Sequence, residues 1–188
     1  TGYVKEGDDE RFGTDSLKYK LLVALGNAWT NAREADRATI EATADRLRAF
    51  DDSSFDRAIF LNDENGAYGA GHNATMLLNS SGEGLVFSYY PTSQESEWDL
   101  VFGVDGEMRI GVLTADQANN LMYGDGWTGQ MVATDGHLEN EQYERFAYYG
   151  IKTGQGYNMY HKATQIAQNP GTYKLAGNQC DNITQQIF

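Results

Sequence analysis

Between residues 67 and 113 the chain repeatedly sets an apolar run against a short, polar, Gly-containing break, a spacing that favours antiparallel strands. Ala67 to Asn79 reads as a strand with small residues at its start. Ser80-Ser81-Gly82-Glu83-Gly84 then turns it into a second strand from Leu85 to Tyr90, and the break is short enough for a hairpin. Trp98 to Val104 and Met108 to Leu113 predict a second hairpin across Asp105-Gly106, a strong turn pair. Ahead of these strands the period becomes helical. Leu17, Leu21, Leu25 and Trp29 recur at helical spacing behind a cap at Thr14 or Asp15, and Ile40, Ala44, Leu47 and Phe50 follow on one face from about Asp36. The charges on this helical pair read as a solvated face without chemistry. Residues 1–14 read as a lead-in arm, and Ala58 to Leu61 as a short strand or a turn of helix. After the strands, Thr114 caps a short helix, and a Gly-rich stretch from Tyr123 to Gly136 carries Trp127 as the wall or lid of a cleft. Tyr143 to Ile151 forms another strand, Gly156 to Gln168 a helix, and Asp181 to Phe188 about two helical turns. The expectation is an α+β fold, an antiparallel sheet with packed helices. It forms a single domain over 1–188, with 1–55 as arm and helical hairpin and 56–188 as the core.

Charge and cysteine usage narrow the partners. A net charge of -13 argues against nucleic acid, which is bound through Lys, Arg and counterion release, and against anionic membranes. No apolar run approaches membrane-spanning length. The single cysteine excludes an intrachain disulfide. The Thr1 start reads as that of a fragment or processed product of something longer.

That cysteine, Cys180, lies in Gly177-Asn178-Gln179-Cys180-Asp181-Asn182, between a loop and the last helical segment. At the first turn of a helix, free N–H groups and the helix dipole favour a thiolate, which lowers the thiol pKa and makes a nucleophile. The plainer reading is a small buried hydrophobe, against which the polar neighbours count. A nucleophilic thiol needs an imidazole and a third group to hold the ring. Of the three histidines, His137 reads as a solvated turn residue and His161 as a helix-face residue. His72 heads a strand among Gly69, Gly71, Asn73 and Ala74, with space above its ring, although a satisfied strand histidine fits equally. Neither a carboxylate dyad nor a zinc ligand pair at the usual spacing is present, and no Gly-rich phosphate cradle is found. No metal or cofactor is expected.

Two segments together carry a resemblance. Tyr68-Gly69-Ala70-Gly71-His72-Asn73-Ala74-Thr75-Met76-Leu77-Leu78 followed by Gly84-Leu85-Val86-Phe87-Ser88-Tyr89-Tyr90, and later Tyr173-Lys174-Leu175-Ala176-Gly177-Asn178-Gln179-Cys180-Asp181-Asn182, resemble the histidine hairpin and cysteine helix of permuted papain-like (NlpC-type) domains. Such domains occur at the toxin ends of bacterial Rhs-type polymorphic proteins. The resemblance covers roughly 68–188. It implies a permuted papain-like fold, the His strand before the Cys helix, with Cys180 as nucleophile and His72 as base and acid. The orienting residue falls at Ser88, where relatives commonly carry His, Asn or Asp. Tyr68, Asn178 and Gln179 are substitutes for it and, with Trp127, the expected substrate-binding residues. It further implies a cysteine-nucleophile amide hydrolase (peptidase, amidase or deamidase) acting on a peptide or protein through a thioester. That places it as a secreted or delivered bacterial effector with an immunity protein as partner. The alternatives are a non-catalytic protein-interaction domain on the same shell, or an acyltransferase.

Overall fold

The structure is a computed structural model that describes residues 5–63, 72–92, 102–124, 127–143, 145–152, 154–174 and 180–188. It begins with three helices: α1 (Asp8–Phe12), α2 (Leu17–Asn31) and α3 (Glu34–Ala49). The cap of α2 is Ser16, whose Oγ accepts the Tyr19 N–H, rather than Thr14 or Asp15. The expected lead-in arm is instead fastened to the body. Buried Arg48 of α3 donates to Asp8 at 2.7 Å and also bonds Asp45, so one of the charges assigned to a solvated face closes a buried pair.

The strands follow: β1 (Phe55–Asp63), β2 (His72–Asn79), β3 (Gly84–Pro91) and β4 (Val104–Leu113). Next come α4 (Ala115–Tyr123), β5 (Trp127–Ala133), β6 (Leu138–Tyr143), β7 (Arg145–Gly150), α5 (Gln155–Gln168), β8 (Thr172–Tyr173) and α6 (Cys180–Ile187). All pairings among them are antiparallel, in the order β6-β5-β4-β3-β2-β1-β7, with β8 added to β4. β6 and β7 stand at opposite ends of that order, yet only Glu144 separates them in the chain. The sheet therefore curls back on itself. The fold is α+β with a curled antiparallel sheet.

Two expectations fail on local chemistry. Asp105-Gly106 is not a turn but part of β4, which runs through it and pairs Gly106 with Pro91. The glycine is needed for close approach, because a Cβ there would fall 2.0 Å from the Tyr89 hydroxyl. The Gly-rich stretch from 123 to 136 is largely strand β5, not a lid. The part of the predicted hairpin at 98–101 lies outside the described residues.

Pleating divides the sheet into two faces. Leu77, Leu85, Phe87, Tyr89, Met108 and Ile110 form one core with α2, α3, α5 and α6. Ile59, Leu61, Ala74, Met76, Val86 and Met131 point inside the curl and are capped by Leu121 and Met122 of α4. Each large apolar side chain removed from water contributes about 1.5–3 kcal/mol, so both faces are committed and the strand register is fixed. Among the described residues no helix is long and apolar enough to cross a membrane.

Candidate functional site

His72 follows the parity of β2. Ala74, two residues on, faces the interior of the curl and stands opposite Ser88 in β3. His72 shares that face. Its Nε2 lies 2.6 Å from Ser88 Oγ and its ring stacks on Tyr90 at 3.8 Å. The Arg109 guanidinium lies 3.6 Å from the Tyr90 ring, so Tyr90 is held between imidazole and guanidinium. Arg109 Nη1 donates to Glu141 at 2.6 Å and its Nε to Glu107 at 2.7 Å. Glu141 accepts further bonds from Tyr90 at 3.1 Å and Tyr143 at 3.2 Å, and Tyr143 Oη lies 3.0 Å from Ser88. A continuous polar chain thus runs through the curled sheet.

Its proton directions follow from charge. Tyr143 has one proton, and the bond to ionised Glu141 is the stronger choice. The Ser88 hydroxyl stands between Tyr143 Oη at 3.0 Å and His72 Nε2 at 2.6 Å, and its single proton goes to one of them. His72 Nδ1 is buried and has no hydrogen-bond partner among the described residues. Burial, helped by the Arg109 charge, lowers the His72 pKa to about 3, so the ring is neutral. Burial raises the Glu141 pKa against the opposing pull of Arg109.

The outer end of the chain reaches His137. This residue is in the expected turn but is not a free surface group. Its Nδ1 lies 2.5 Å from Asp135 Oδ1, and its Nε2 lies 3.4 Å from Glu107 and 3.4 Å from Glu139. Hydrogen bonding to Asp135 and then to Glu107 raises its pKa to about 10. Gly136 makes the turn possible at φ 109°, where a Cβ would also strike the Ala28 carbonyl at 2.5 Å.

Cys180 lies elsewhere. It opens α6, as expected, and is buried at 6 % exposure. That helix docks on the helix-covered face through Ile183 and Ile187, and Thr184 Oγ1 donates to the Asn73 carbonyl at 3.3 Å. Tyr173 lies near Cys180, and its pKa is raised, first by burial and then by the neighbouring thiol. Tyr173 in turn stacks on Tyr89. The structure therefore unites His72 with Ser88 but does not unite His72 with Cys180. The pleat sends the imidazole into the curl, and the sulfur is buried at the start of α6.

Trp127 stacks on Tyr143 and lines a cleft of about 410 Å³ with Thr39, Thr43 and Gln117. Neither Cys180 nor His72 lines it, so Trp127 walls a cleft but not one at the sulfur. Tyr68, Asn178 and Gln179 lie outside the described residues. His161 is exposed on its helix, as expected. The sequence reading missed Glu107, Arg109, Glu141 and Tyr143. Their alternation in β4 and β6, charged residues at every second position of otherwise apolar or polar strands, is the signal that pointed inward.

The fold and its interior define an acidic α+β domain with a buried polar network. In comparisons with known proteins, no family model, curated protein or solved structure matches the chain.

Proposed function

We propose that this chain acts as a protein-binding domain rather than through a Cys180 thiolate. The observation that carries this reading is that His72 is held by Ser88 and Tyr90 inside the curled sheet, with no hydrogen bond to Cys180 among the described residues. A base must reach the nucleophile's proton within about 3 Å or through one water. What the surface offers instead is aromatic area on an acidic body. Tyr149 and Phe188 pack edge to face at 5.2 Å and stay 50 % and 41 % exposed. Exposed Tyr and Phe serve as binding anchors. The net charge of -13 suits a partner with a basic face.

A second reading is the cysteine-nucleophile amide hydrolase on a permuted papain-like shell, an effector countered by an immunity protein. Two observations favour it: His72 Nε2 lies 2.6 Å from Ser88 Oγ while Nδ1 has no partner among the described residues, and Cys180 opens a helix. It requires the start of β2 to present His72 to the Cys180 thiol.

Iodoacetamide alkylation of Cys180 followed across pH separates the two. The binding reading expects slow reaction that rises only near the pKa of an ordinary thiol, about 8.5, and the same slow profile in His72→Ala. Fast alkylation well below that pH, abolished by His72→Ala, would establish the hydrolase couple and remove the binding reading.

A further inference from the structure

We propose that Glu107, Asp135 and His137 form a binding site for a first-row divalent cation of the Mn²⁺ or Zn²⁺ class. One donor atom from each residue lies within 4.8 Å of the other two. Once the ion displaces the proton that Asp135 and Glu107 hold on His137, an imidazole with two carboxylates is a donor set suited to these ions rather than to Mg²⁺ or Ca²⁺, which favour oxygen alone.

The second, independent observation is Glu107 itself. Its side chain is 0 % exposed, its Oε1 lies 3.4 Å from His137 Nε2, and its Oε2 has no hydrogen-bond partner among the described residues. Leaving a buried carboxylate oxygen unpaired is costly, and a cation between Glu107 and Asp135 would satisfy it. The site is also held in place beforehand. Thr134 N–H donates to the Met108 carbonyl while Met108 N–H donates to Thr134 Oγ1, which pins the turn to β4 one residue from each carboxylate. The His137 N–H donates to Asp135 Oδ1 and fixes the turn from within. Arg109 fixes the Glu107 carboxylate through Oε1, the oxygen that also faces His137. Asp135 borders an open cleft of about 300 Å³, which gives an ion a route in, and Glu139 stands 3.4 Å from His137 Nε2 as a further donor on the solvent side.

The test is titration of the whole chain with Mn²⁺, read by loss of the free-ion electron paramagnetic resonance signal and by paramagnetic broadening of amide resonances. One Mn²⁺ per chain is expected, with broadening centred on residues 135–139 and 107 and displacement by Zn²⁺. Asp135→Asn and His137→Ala, both at partly exposed positions and checked for folding by circular dichroism, should each weaken binding roughly tenfold or more. Glu107→Gln should do the same, but because its side chain is buried the two turn variants decide the matter if it fails to fold. An undiminished free Mn²⁺ signal, broadening centred elsewhere, or affinity kept within a factor of two in both turn variants would overturn the site.

Discussion

His72 shows what a single strand position costs and provides. Its ring is neutral because burial, with Arg109 nearby, holds its pKa at about 3 against 6.5 for an exposed imidazole. A histidine with a depressed pKa stabilises the fold fully above the unfolded value and loses that contribution as pH falls, since the unfolded chain then binds a proton that the folded chain refuses. Urea unfolding should therefore show stability declining between about pH 6.5 and pH 3. His72→Gln should flatten this limb, and an equally steep limb in the variant would assign the acid sensitivity to other groups. The imidazole's position in the chain, at the head of a strand with small neighbours, was legible. Which face it took was not, because pleat direction is set by the two cores on either side of the sheet.

At the scale of elements, local signals were reliable where the local chemistry was complete. Thr114 is such a case. Its Oγ1 accepts the Gln117 N–H while the Gln117 side chain accepts the Thr114 N–H, a reciprocal cap that needs no tertiary partner. Thr114→Ala should cost about 1 kcal/mol, seen as a lower urea midpoint with unchanged slope, and no shift would mean that α4 is held by packing alone. Asp105-Gly106 is the opposite case. The pair has the composition of a hairpin turn, yet its glycine is required by the Tyr89 ring, whose hydroxyl donates to the Pro170 carbonyl at 2.8 Å. Composition does not distinguish a glycine that bends the chain from one that makes room for a side chain. The same ambiguity hid β5 within a Gly-rich stretch, where a Cβ on Gly129 would collide with the Trp127 indole.

Across the whole molecule the dominant electrostatic fact is the net charge of -13. Like charges on one compact body repel, and added salt should relieve this. Raising NaCl from about 0.01 M to 0.15 M, which shortens the screening length from about 30 Å to 8 Å, should raise Tm measured by calorimetry. A falling Tm would show that the internal ion pairs, among them Arg109 with Glu107 and Glu141 and Arg48 with Asp8, outweigh the surface repulsion. The acidic surface was legible at once, because composition sets net charge whatever the fold.

Sequence alone determined the class: helical periodicity before and after a block of period-two strands gives α+β, and each pattern follows from the geometry of one element. It also located Cys180 at a helix start and His72 at a strand start. Only the tertiary structure decided that β6 and β7 bring the ends of the sheet together, that Glu107, Arg109, Glu141 and Tyr143 meet inside it, and that His72 is held by Ser88 and Tyr90. These are long-range outcomes. They depend on which of two alternating faces each strand buries and against what, and that choice is made by the packing of all the strands and helices together.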